Sequence, residues 1–146
     1  LYKGKKIKGY AGVCKGTAEI DAAAWHPYSP STFVTPPFPG YPSGHSTASA
    51  AGAAILKQFT GSDRFGVVAH RKAGELTEVA CGPVPVDLEL PTFSAVAEMA
   101  GISRVMGGYH IQADNVAGLE LGRKIANYSW PRYQAYFEGK PVTAAK

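Results

Sequence analysis

Apolar residues recur at helical spacing in three stretches of this chain, and between them the pattern breaks down. Residues 46–59 are crowded with alanine and carry Ile55, Leu56 and Phe59, with Gly61 placed to stop the run. Residues 93 to about 107 set Phe93, Val96, Ala97, Ala100 and Val105 on one stripe, behind Thr92 as a cap. From about 111 or 112 to 128, Val116, Leu119, Leu121 and Ile125 repeat in the same way, and Pro131 predicts the end. The first stretch is lean on every side, with Ala48, Ala50, Ala51, Gly52, Ala53 and Ala54. A helix of that kind is ordinarily buried among others at close approach.

The intervening segments predict loop. Residues 1–24 read as irregular and glycine-punctuated, with a short helical turn at 19–24. Trp25-His26-Pro27 and Pro36-Pro37-Phe38-Pro39 exclude helix from 25–44 and predict an extended, ordered loop. Residues 62–92 read as loop with room for one small hairpin. Seventeen glycines and eleven prolines, nearly a fifth of the chain, exclude a helical bundle with short connections. At 146 residues, 45% hydrophobic and 18% charged, the chain suits one packed domain. No apolar run approaches the roughly 20 residues that a membrane-spanning helix needs. Three helices are too few to bury the lean one on all sides, so an oligomer or a place within something larger is expected.

The net charge of +4 is local. Lys3, Lys5, Lys6, Lys8 and Lys15 all precede the first acid, Glu19, and the remainder carries one more acid than base. Such a cluster reads as a solvated arm, and without interleaved aromatics it implies no nucleic-acid partner. Cys14 and Cys81 fit one disulfide or two buried thiols, and Asn127-Tyr128-Ser129 has the form of a glycosylation acceptor. The compartment stays undecided, with a secreted or extracytoplasmic setting favoured.

Two clusters carry candidate chemistry. Pro42-Ser43-Gly44-His45 lies where the proline-rich loop meets the lean helix, at unpaired backbone N–H groups and the positive end of the helix dipole. Ser43 adds a hydroxyl, Gly44 allows close approach, and His45 titrates near neutrality. Taken alone this reads first as a helix entry with a Ser/Gly turn and an incidental surface histidine. The second cluster is Ser103-Arg104, His110 and Asp114. On a helix, His110 and Asp114 at i and i+4 would share a face. A carboxylate on one imidazole nitrogen leaves the other basic, able to attack phosphorus or bind a metal. Arg104 offers a fork of donors for a tetrahedral oxyanion, and Gly107-Gly108 lets the chain turn so that both residues converge.

Together, Pro-Ser-Gly-His followed by Ser-Arg-x5-His-x3-Asp resembles the last two of three signature segments of the vanadium-dependent haloperoxidases and type 2 phosphatidic acid phosphatases. Thr35-Pro36-Pro37-Phe38-Pro39-Gly40-Tyr41 and Gly107-Gly108-Tyr109 are similar to the soluble haloperoxidase branch, over roughly residues 25–128. The resemblance implies an all-α helical bundle with long ordered loops and one oxyanion site. It implies that Ser43, Gly44 and Arg104 bind vanadate, or phosphate in a phosphatase. His110 would be the single protein ligand to the metal, or the phosphorylated nucleophile. His45 would serve as acid–base and Asp114 would orient His110. The implied partners are halide, hydrogen peroxide and a small organic substrate.

The first signature, a lysine followed six residues later by Arg-Pro, is absent. The expectation is therefore a carboxy-terminal portion of one catalytic domain. It would comprise a lysine-rich lead at 1–24, a motif-bearing region at 25–128 and a tail at 129–146. The missing cations would come from an amino-terminal part or another chain. The readings in play are a haloperoxidase or a fragment or relative of one, an acid phosphatase acting through a phosphohistidine, and a non-catalytic structural or secreted protein keeping the scaffold.

Overall fold

A computed structural model describes residues 3–12, 15–29, 32–33, 36–75 and 84–140. Cys14, Cys81 and Thr35 lie outside the described residues, as does the end of the tail.

The three helices form where the apolar pattern and the caps place them. Helix α1 spans Gly44–Thr60, begins at the buried Ser43 cap and ends at Gly61, whose φ of 71° is the left-handed conformation that glycine adopts freely. Helix α2 spans Phe93–Met106, and its Thr92 hydroxyl accepts from the Ala95 N–H at 2.9 Å. Helix α3 spans Gln112–Phe137 and runs through Pro131 instead of stopping before it. The proline forfeits one helical hydrogen bond. Around it, Arg132 donates to the Tyr128 carbonyl at 2.6 Å and stacks on the Tyr128 ring at 3.5 Å, which pins the turn.

The fold is not all-α. Strands β1 (Lys6–Tyr10) and β2 (Thr17–Asp21) pair antiparallel, as do β3 (Arg64–Arg71) and β4 (Val86–Thr92). The lysine-rich lead is therefore a hairpin, not an arm, with Lys6 opposite Asp21 and Lys8 opposite Glu19, the opposite-charge pairing that supports a two-stranded ladder. The expected turn at 19–24 shrinks to a single 3-10 turn, Ala22–Ala24, because Asp21 ends the strand and its carboxylate accepts from the Ala23 N–H. The β3–β4 hairpin docks on the start of α2. There Phe65 meets Phe93 at 5.3 Å between ring centroids, and Asp63 accepts from the N–H groups of Phe93 and Ser94.

Small residues, not large ones, form the helix contacts. The core is Ala50, Ala53, Ala97 and Leu119 with Phe93 against it. On α3 the buried face is Asn115, Gly118, Leu119, Gly122 and Ala126, whereas Val116, Leu121 and Ile125 are exposed. Three of the four residues of that apolar period thus face outward, and only Leu119 reaches the core. A Cβ at Gly118 would meet the Ser43 carbonyl at 2.6 Å and Ser46 Cβ at 2.8 Å, so only glycine lets α1 and α3 come this close. The lean α1 is buried on two sides only, and Ala48, Gly52, Leu56 and Phe59 face outward.

Gly122 and Gly52 separate the two faces experimentally. A Cβ at Gly122 would lie 2.8 Å from the Ala51 nitrogen and 2.9 Å from Ala50 Cβ, while one at Gly52 meets nothing within 4 Å. Gly122→Ala is expected to destabilise the chain by about 1–3 kcal/mol. Gly52→Ala should stabilise it by about 0.5–1 kcal/mol, both read from urea midpoints.

Candidate functional site

The two sequence clusters meet where three helix ends converge. Ser43 is fully buried, and its hydroxyl accepts from the Ser46 N–H at 3.3 Å. Its carbonyl takes the Thr47 N–H at 3.0 Å and the Thr47 hydroxyl at 2.9 Å. The first-turn N–H groups of Gly44 and His45 have no partner among the described residues. A Cβ at Gly44 would meet nothing within 4 Å, so open space lies over the positive end of α1. The Ser43 N–H donates to the Asp114 carbonyl at 3.0 Å and ties this end of α1 to the start of α3.

His110 and Asp114 pair, but not as two residues on one helix face. His110 precedes α3, and Asp114 reaches back from its first turn. One carboxylate oxygen lies 3.1 Å from His110 Nδ1 and accepts from the Ile111 N–H at 3.3 Å. Both side chains are nearly buried, at 10% and 13% exposure. A carboxylate can only accept, so the proton sits on Nδ1 and Nε2 is left free. Gly40 covers the pair, since a Cβ there would stand 3.6 Å from Asp114 Oδ2 and 3.9 Å from His110 Nδ1.

Arg104 comes from the last turn of α2. Gly108, at φ 79°, reverses the chain, and the Tyr109 N–H donates to the Arg104 carbonyl at 3.0 Å. The guanidinium then lies over the Tyr109 ring at 4.0 Å, and its buried Nε has no hydrogen-bond partner. A buried guanidinium nitrogen without an acceptor is a costly arrangement unless an anion completes it.

Gly44, His45, Arg104 and His110 line one cavity of about 530 Å³, whereas Ser43, fully buried at the α1 cap, is not among its lining residues. His45 is itself solvent-exposed. Partial desolvation, then the charge on Arg104, then His110 hold its imidazole below the ordinary 6.5, so it favours the neutral form at neutral pH. The arrangement suits a tetrahedral oxyanion, with backbone donors, a guanidinium fork and an imidazole nitrogen converging on one space. Among the described residues no group of three or more His, Cys, Asp or Glu side chains could hold a bare metal ion.

Sequence reasoning missed the rest of the cavity wall. His26, Phe33 and Tyr109 line it as well, brought there by loop docking that leaves no periodic signal. It also missed the buried Ser46 to Asn115 hydrogen bond of 2.7 Å that braces the helix ends.

No curated protein matches the chain significantly. Among solved structures it is similar to a holo-type bacterial vanadium-dependent chloroperoxidase, with a TM-score of 0.74 and 24% identity over 93% of this chain and 28% of that one. An apo-type bacterial vanadium-dependent chloroperoxidase gives 0.75 and 26% over 94% of this chain and 29% of that one. A bacterial vanadium-dependent iodoperoxidase gives 0.50 and 32% over 73% and 22%. The chain thus spans less than a third of each relative's length. The model of the VCPO second helical-bundle domain matches residues 1–139. The chain belongs to that domain family, within the vanadium haloperoxidase superfamily.

Proposed function

We propose that this chain holds vanadate for a haloperoxidase that oxidises halide with hydrogen peroxide, as part of a larger catalytic unit. Arg104, whose buried Nε has no partner, lines the same cavity as the open N-terminus of α1, and this convergence carries the reading. Gly44 and His45 would offer backbone N–H groups to the oxyanion, and Arg104 its guanidinium. His110 would supply the single protein nitrogen to the metal, through the Nε2 that its bond to Asp114 leaves free. When bound, vanadate supplies an electrophilic centre that activates peroxide toward halide. His45, biased toward its neutral form, is suited to accept a proton from incoming peroxide. The phosphatase reading asks the same residue to donate a proton to a leaving group, so the two readings place opposite demands on His45.

The partner is the remainder of the catalytic domain or another chain. It would seat on the outward face of α1, where Ala48, Gly52, Leu56 and Phe59 are exposed, and bring the lysine and Arg-Pro that this chain lacks.

Calorimetry with orthovanadate is expected to show binding, and His110→Ala should weaken it by about tenfold or more. Asp114→Asn should cost about 10- to 100-fold, the usual effect of losing a partner that orients a ligand. An unchanged affinity in His110→Ala overturns the site. Peroxide-dependent bromination that requires vanadate supports the haloperoxidase. Phosphate-ester hydrolysis without bromination would favour the phosphatase, and neither activity nor oxyanion binding would leave a structural role.

Proton NMR of the ligand-free chain should place the His45 titration below 6.5. Arg104→Ala should raise the midpoint only part of the way back, because burial, the larger cause, remains. Folded His45 takes up a proton less readily than the unfolded residue. Its contribution to stability is therefore present above pH 6.5 and lost as pH falls through the folded-state value. His45→Gln should correspondingly flatten the dependence of the urea midpoint on pH in that window.

A further inference from the structure

A separate cleft of about 250 Å³ opens between the three helices, away from the oxyanion cradle. Lys57 at its rim follows Gly44 by 13 residues, which is about 20 Å along α1. Ala50 and Ala53 of α1 and Ala97 of α2 form the floor, and all three are buried. Their side chains are too short to fill the space above them. The cleft also lies behind the outward face of α1, since Ala50 and Gly52 stand about 160° apart around the helix. A partner seated on that outward face would leave the cleft open.

The polar groups of the cleft are unbalanced. Lys57 and Arg123 line it as permanent cations, and no carboxylate lines it among the described residues. Their acids stand outside. Glu98 takes one Arg123 Nη at 3.1 Å, a single bond out of the five N–H donors of a guanidinium. Asp63 lies 3.5 Å from the Lys57 ammonium, too far for a good hydrogen bond, because its other carboxylate oxygen accepts from the Ser94 N–H at 3.1 Å. Gln58 donates to the Asn127 side-chain oxygen at 3.3 Å, which leaves the Asn127 amide nitrogen as a donor. Donors and positive charge thus stand over an apolar floor. A guanidinium fork and an amide donor match a planar carboxylate, and the alanines match a short hydrocarbon.

We propose that this cleft is a second ligand site, for a small monocarboxylate with a short apolar body. The carboxylate accepts from Arg123, Lys57 and Asn127, and the body covers Ala50, Ala53 and Ala97. The site uses no residue of the oxyanion cradle, so the inference stands apart from the haloperoxidase reading.

Four probes test it by two-dimensional NMR of the wild-type chain: hexanoate, hexan-1-ol with the same body and no charge, hexylamine with the opposite charge, and acetate with almost no body. Hexanoate should shift the side-chain amide signals of Gln58 and Asn127 saturably. It should bind at least about tenfold more tightly than hexan-1-ol, the scale of hydrogen bonds to a charged group. Arg123→Gln should weaken hexanoate by about three- to tenfold, a modest loss because the guanidinium is partly open to solvent. No saturable shift with hexanoate, an equal response to hexan-1-ol or hexylamine, or acetate binding as tightly as hexanoate overturns the proposal. An unchanged affinity in Arg123→Gln does so as well, as do shifts confined to the backbone amides of Gly44 and His45. The four wild-type titrations need no variant, so the test holds even where Arg123→Gln fails to fold. Phosphate titrated into the same sample reads the cradle through the Gly44 and His45 amides. Absence of phosphate binding there, with the hexanoate selectivity intact, would count against the oxyanion cradle and leave the cleft standing.

Discussion

All three helices meet at one buried hydrogen bond, from the Ser46 hydroxyl to the Asn115 side-chain oxygen at 2.7 Å. Both residues are almost wholly removed from solvent, so losing either partner would strand a polar group at about 1–3 kcal/mol. Gly101 faces the pair from α2, and a Cβ there would stand 3.0 Å from the Ser46 hydroxyl and collide with Asn115. Several residues of the proposed oxyanion cradle sit close to this junction along the chain. Ser43 and Gly44 precede Ser46, Asp114 adjoins Asn115, and Arg104 follows Gly101 by three residues. The Ser43 to Asp114 backbone bond then fixes the remaining freedom between α1 and α3. Converging side chains from three separate segments require such a rigid point, because a cradle built on helix ends is only as accurate as the packing that sets those ends together.

What the chain reveals of itself before folding follows the range over which each signal acts. Caps are local, so Thr92 and Gly61 mark their helix ends correctly from neighbours alone. Pro131 is local as well, yet it misleads, because the stacked Arg132 and Tyr128 hold the helix through it. The β1–β2 hairpin is illegible for a different reason. Its strands are five residues long, Lys6, Lys8 and Glu19 are poor strand formers, and the opposite charges that its register sets across the ladder are not visible until the strands pair. The cradle residues are readable because their types and spacing are unusual together. His26 is not, because it reaches the cavity only through Pro27 docking on a glycine 81 positions further along.

Helix α3 shows how far hydrophobicity can point the wrong way. Its exposed side carries Val116, Leu121 and Ile125, and its buried side carries Gly118, Gly122 and Asn115. Glycines face inward because they admit the α1 backbone, and dispersion attraction across a close helix crossing replaces the burial of large side chains. The large apolar residues are then left on a surface that water covers poorly. With Ala48, Gly52, Leu56 and Phe59 outward on α1 as well, two helices present apolar or small residues to solvent, and under the proposed function these are the faces a docking partner would cover.

The charge at the proposed cradle points the same way as those uncovered faces. Arg104 is the permanent cation among the described cavity-lining residues. His45 favours its neutral form, and any charge on His110 is matched by the Asp114 carboxylate bonded to it. The lining therefore balances about one negative charge, whereas a phosphate group carries between one and two near neutrality. A second charge would have to be left in a partly desolvated space without compensation, which buried ions do not tolerate. Under the proposed function, the uncovered face of α1 and the shortage of cations have a single remedy. An element docking beside α1 and carrying a lysine and an arginine would bury the one and neutralise the other. Oxyanion affinity would then depend on that docking as much as on any residue within the chain.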